Sequence, residues 1–171
     1  LVRQSADRLL RTSMELGGNA AFVIDEAADL DEAVSGAIAA KLRNAGQVCI
    51  AANRFLVHES RAAEFTSKLA TAMQNTPIGP VISARQRDRI AALVDEAITD
   101  GARLIIGGEV PDGSGFFYPA TILADVPAQS RILHEEIFGP VATIATFTDL
   151  AEGVAQANST EFGLAAYCNH I

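Results

Sequence analysis

Short apolar runs alternate with capped, amphipathic stretches along this chain, and that alternation limits the fold more than any other feature. Runs 20–24, 54–58, 103–106 and 141–147 have strand length and are rich in Val, Ile, Leu and Phe. Between them lie segments at helical spacing. Asp29 with Glu32 reads as a capping box ahead of Leu30, Ala33, Val34, Ala37, Ile38, Lys41 and Leu42. The stem of Lys41 lies along that stripe, and Asn44-Ala45-Gly46 is the stop signal. Ser60 caps a second helix, running to about Met73. Ser83 with Gln86 opens a third, which carries Ile90, Leu93, Val94, Ala97 and Ile98 and closes at Gly101. A short helix over 149–158 precedes a strand that begins at 163–167. The stretch 116–123 is extended, and Pro119 points to an edge or irregular segment. The expected class is α/β, with a largely parallel twisted sheet flanked by helices.

The chain has 171 residues, about half of them apolar, which is enough for one domain with a real core. A net charge of −8 with no basic run argues against nucleic acid or an anionic membrane as partner. No apolar stretch approaches the ~20 residues of a membrane span. Two cysteines are too few for a disulfide framework. The expectation is a cytoplasmic domain. The first residues lack a methionine and an apolar leader, so the sequence reads as part of something longer.

Three places carry residues able to do chemistry. Cys49 stands in a glycine-containing loop between a helix and a strand, where a thiol is reachable, although a lone cysteine also serves as a small core residue. Glu15 precedes Leu16-Gly17-Gly18-Asn19. A carboxylate beside such a turn suits a general base, and it also suits plain solvent exposure. Glu135 and Glu136 precede Ile137-Phe138-Gly139-Pro140, and paired acids are commonly just solvated. His58, His134 and His170 lack metal-ligand spacing, so no metal is assigned.

Taken in order, Glu15-Leu-Gly-Gly-Asn19, then Asn44-Ala-Gly-Gln-Val-Cys49 with Cys49 34 residues after Glu15, then Glu136-Ile-Phe-Gly-Pro140, resemble the aldehyde dehydrogenase superfamily. The resemblance extends through Gly107-Gly108, 116–119 and 158–164. Lys41-Leu-Arg-Asn-Ala-Gly-Gln-Val-Cys49 and Ala52-Asn-Arg54 resemble its succinate-semialdehyde dehydrogenases. The resemblance implies an NAD- or NADP-dependent oxidation of a small-molecule aldehyde to the acid, through a cysteine thiohemiacetal and a thioester. It makes Cys49 the nucleophile and Glu15 the base that activates water. It puts Leu16, Gly17, Glu136 and Phe138 against the nicotinamide ribose and ring, and gives Arg43 the distal carboxylate of the substrate. A homo-oligomer is implied for the intact enzyme.

The departures are as informative. On this reading residues 1–14 are the tail of an absent dinucleotide-binding domain and 15–171 the catalytic domain, cut short at its C-terminus. The segment at Gln74-Asn75 is shorter than the family's by about ten residues. Ala51 stands where some relatives carry a second cysteine, and Cys168 has no motif around it. Two other readings remain beside this one. The first is a catalytically silent structural or binding module that keeps the fold. The second is a cysteine hydrolase, with His58 as the base nine residues after Cys49.

Overall fold

The computed structural model describes residues 1–169. Six strands form one sheet: β1 (Ala20–Ile24), β2 (Ala52–His58), β3 (Arg103–Ile106), β4 (Thr121–Ala124), β5 (Val141–Phe147) and β6 (Ala166–Asn169). Their order is β3-β4-β5-β2-β1-β6. Only β3 runs antiparallel to its neighbour, β4, and every other pair is parallel. The helices are α1 (Val2–Ala6), α2 (Leu30–Leu42), α3 (Glu59–Asn75), α4 (Ala84–Thr99) and α5 (Leu150–Ala157). The α/β expectation therefore holds.

Apolar residues on both sides of each central strand explain why both faces of the sheet are covered. Phe22, Ile24, Phe55, Val57, Ala142 and Ile144 point to one face, where α2 packs through Leu30, Ala33 and Ala37 and α3 through Phe65, Leu69 and Met73. The rings of Phe22 and Phe55 stack there at 5.5 Å. Leu123 and Val141 turn the other way, onto Ile90, Leu93, Val94 and Ala97 of α4. Ala21, Val23, Leu56 and Phe147 share that side with the neighbourhood of α5. The alternation along β1, β2 and β5 is the two-residue period of a pleated strand.

Several local readings need correction. The Asp29 carboxylate does cap α2, accepting from the N–H groups of Asp31 and Glu32. The cap of α3 is His58 and not Ser60: the His58 ring accepts from the Ser60 N–H, so the helix begins at Glu59. Ser83 caps α4 by accepting from Gln86 N–H, but the Gln86 side chain reaches across the fold instead of closing a box. The stretch 116–120 is irregular, and the strand after Pro119 is interior, paired on both sides. β6 begins only at Ala166. Lys41 does more than lay its stem along the apolar stripe, because the whole residue is buried. His170, considered above as a metal ligand, lies outside the described residues.

Candidate active site

Four loops meet at one rim of the sheet. Residues 15–19 lead into β1, 43–51 into β2, 136–140 into β5 and 161–165 into β6. All four strands are parallel, so the rim gathers their amino ends. Open α/β sheets more commonly place ligands at the carboxyl ends.

Glycines let these loops touch. A Cβ on Gly18 would run into the carbonyl of Cys49, so only glycine allows the 15–19 turn to lie against the cysteine loop. The Gly18 N–H donates to Glu136 Oε1 at 3.1 Å. A Cβ on Gly17 would fall 2.6 Å from Glu136 Oε2, which leaves an open cradle beside that carboxylate. Gly46 in turn backs onto the carbonyl of Gly139, where any side chain would collide. The three motif segments, far apart in sequence, thus share contacts through Gly17, Gly18 and Gly46.

The cysteine loop begins with an unusual turn. Asn44, Ala45 and Gly46 have φ of +52°, +54° and +75°, three successive left-handed residues that reverse the chain after α2. Asn44 and Gln47 brace it, each side-chain amide donating to the other's carbonyl at 3.1 and 3.0 Å. Gln47 Oε1 also accepts from Ile82 N–H at 2.8 Å, tying the loop to the connection before α4. Cys49 itself is half-buried, between Val48 and the exposed Ile50. Tyr167 on β6 donates its hydroxyl to the Ile50 carbonyl at 2.8 Å. Glu15 and Leu16 are exposed. Leu16 and Gly17 face 161–164 across an open groove of about 460 Å³. Arg43 is exposed as well. It lines a second groove of about 470 Å³ with Val48, Ile50, Tyr167 and Cys168.

The Glu136 loop is held from α4. Arg89 donates to the carbonyls of Glu136 (2.8 Å) and Ile137 (3.1 Å), and Gln86 donates to those of Ile137 and Phe138. These bonds hold Phe138 at φ +53°, a conformation that a bulky residue seldom adopts. The paired acids have separate partners: Glu135 pairs with Arg89 and Arg131, while Glu136 turns to Gly18.

His58 is not a base for Cys49. It ends β2, the strand that Cys49 precedes, and six strand steps separate it from Ala52, about 20 Å. Both of its ring nitrogens are engaged, one with Ser60 and the other with the Thr148 carbonyl. The cysteine-hydrolase reading falls with it. Among the described residues, no three metal-ligating side chains cluster, and no helix is long and apolar enough to cross a membrane.

Behind the loops lies a polar cluster that sequence reasoning missed. Lys41 Nζ donates to Asn53 Oδ1 at 2.7 Å, and Asn53 Nδ2 donates to Asn19 Oδ1 at 3.2 Å. Asn19 Nδ2 then donates to the Leu133 carbonyl at 2.7 Å. Arg54 donates through Nε and Nη2 to the Asn19 carbonyl, and to the last carbonyls of α5 at Gln156 and Ala157. Burial pushes the Lys41 ammonium down to about 7. The available signal was Asn53-Arg54 opening an otherwise apolar strand, together with a lysine in an apolar stripe.

The sequence model of the Aldehyde dehydrogenase family matches residues 1–169. The chain belongs to the aldehyde dehydrogenase family. A succinate-semialdehyde dehydrogenase of Paenarthrobacter nicotinovorans is 52% identical over 177 residues, covering 98% of this chain and 39% of that protein. The NADP+ succinate-semialdehyde dehydrogenase GabD of Escherichia coli K12 is 42% identical over 177 residues, covering 98% of this chain and 37% of that one. Among solved structures, the succinate-semialdehyde dehydrogenase of Burkholderia pseudomallei superposes with a TM-score of 0.94 at 38% identity, over 99% of this chain and 37% of that structure's. The chain thus spans under two fifths of the length of these aldehyde dehydrogenases. Both sequence alignments are longer than the 171 residues here, so those relatives carry positions that this chain lacks.

Proposed function

We propose that this chain is the catalytic domain of an NAD- or NADP-dependent dehydrogenase that oxidises an aldehyde, with succinate semialdehyde as the substrate. Residues 1–14 are then the end of a preceding cofactor domain. The observation that carries the reading is the seating of Gly18 on the Cys49 carbonyl while its N–H holds Glu136. That arrangement gathers a thiol, a carboxylate turn and a second carboxylate at one rim.

The chemistry follows from the residue types. The Cys49 thiolate adds to the aldehyde carbon, and the carbonyl oxygen takes up the negative charge. A backbone N–H at the cysteine would donate to that oxygen. The nicotinamide dinucleotide, when bound, supplies the hydride acceptor, which leaves the carbon as a thioester of Cys49. Glu15 takes a proton from water, the resulting hydroxide attacks the thioester, and the acid departs with the thiolate restored. The residues present fit the nicotinamide end of the cofactor. Gly17 leaves an open cradle beside the Glu136 carboxylate, which can accept from two ribose hydroxyls. Leu16 and Phe138 offer apolar surface to the ring. Arg43, on the groove that Val48 and Ile50 share, can hold the distal carboxylate of a semialdehyde in a two-pronged bond.

The test is made in the full-length enzyme, with succinate semialdehyde and either cofactor. Cys49→Ala abolishes turnover. Glu15→Gln gives one equivalent of reduced cofactor and then slows by about 10²–10⁴, because adding the thiol does not need the water. A Glu15→Gln enzyme that turns over at the parent rate overturns the base assignment. An active Cys49→Ala enzyme overturns the reaction.

A further inference from the structure

Lys41 and Asn53 stand twelve residues apart, on either side of Cys49, and their hydrogen bond closes the base of the loop that carries it. The bonds beyond form a chain with one direction. A backbone carbonyl only accepts, so the Leu133 end dictates which way the Asn19 amide faces, that fixes the Asn53 amide in turn, and Asn53 Oδ1 is left to accept from Lys41. The segments that carry the amides are themselves locked. The Asn53 carbonyl accepts from Thr143 Oγ1 at 3.0 Å, and the Asn19 carbonyl accepts twice from Arg54. Lys41, Asn53 and Asn19 are all at most 2% exposed. Burying a lysine is costly, and a methionine, one atom shorter, would fill most of the space without that cost.

We propose that Lys41 is a positioning residue, which through Asn53 and Asn19 seats the 15–19 turn against the Cys49 loop and the Leu133–Glu136 segment. The inference rests on Glu15 being the base of the reaction above. Asn19 is the last residue of the turn that Glu15 begins, and its side chain reaches the carbonyl three residues before Glu136. A shift of the turn by about 1 Å carries the carboxylate out of line with the attacking water while leaving thiol addition intact.

Asn53→Asp tests the relay in its middle. The aspartate keeps an acceptor for Lys41, so the lysine keeps its partner. It has no N–H for Asn19, whose amide must turn over and release Leu133. Lys41→Met removes the first donor and keeps the stem. In full-length enzyme, both variants should give a first burst of reduced cofactor followed by steady turnover slowed about 10- to 100-fold per burst equivalent. The burst counts the folded sites, so this ratio does not depend on how much of a variant folds, and a purely structural role leaves it unchanged. A steady rate per burst equivalent equal to the parent's, in either variant, overturns the proposal. Glu15→Gln run alongside separates the two claims. If it stalls while Asn53→Asp does not, the relay alone fails. If Glu15→Gln turns over freely, the base reading fails first.

Discussion

On the proposed reading, Arg43 is the residue on which substrate choice turns. It is exposed directly after α2, on a groove shared with both neighbours of Cys49. A guanidinium facing a semialdehyde carboxylate attracts it strongly, and an aldehyde without that group leaves the charge unanswered. Arg43→Leu in the full-length enzyme should cost succinate semialdehyde roughly 2–4 kcal/mol in kcat/KM, as for a broken close charge pair, while butanal is unchanged or improved. A parallel fall for both aldehydes would make the residue structural. Its place after a helix was legible in the sequence, and so was a strand over 54–58, one residue short of Asn53. Their partners were not. Lys41 sits at helical spacing among apolar residues, and nothing local says that its ammonium finds an amide twelve residues on.

At the scale of elements, the turn Asn44–Gly46 is the critical joint. Gly46→Ala forces an alanine to φ +75° and drives a methyl group into the Gly139 carbonyl. The expected loss is roughly 2–5 kcal/mol, combining left-handed strain with overpacking. Gly79→Ala is the control, because nothing lies within 4 Å of its added carbon. Thermal unfolding of the two variants decides the matter, and equal melting temperatures would refute the account. The central strands and the caps at Asp29 and Ser83 were readable because period-two patterning and Asx or Ser capping are local effects. The cap at His58 was not, because Ser60 is the better capping residue by type, and the strand simply carries on to His58 before the helix begins. Gln86 had the right spacing for a capping box, yet its amide serves carbonyls some fifty residues away. Contacts of that range leave no periodic trace.

For the whole molecule, Lys41 links stability to pH. Its folded pKa is lowered from 10.5 to about 7 by burial. Between those values the unfolded chain binds the extra proton, so stability rises with pH across that window and levels off below about 7. Lys41→Met should remove this contribution, with a difference in slope of at most ~1.4 kcal/mol per pH unit between parent and variant. Urea unfolding at pH 6, 7, 8 and 9 measures it, and identical pH dependence in the two proteins would contradict it. The rim of amino ends has a further consequence, written in the polarity of the backbone. α2 and α5 bring their negative carboxyl ends to it, and Arg43 and Arg54 stand there. α4 brings its positive amino end to the opposite side, through Gln86, beside the loop of Glu135 and Glu136. Arg43 and Arg54 thus meet helix ends of the other sign, while Glu135 is answered by the side chains of Arg89 and Arg131 and Glu136 by the Gly18 N–H. The direction in which three helices run thus gives the rim backbone carboxyl ends on one side and an amino end on the other.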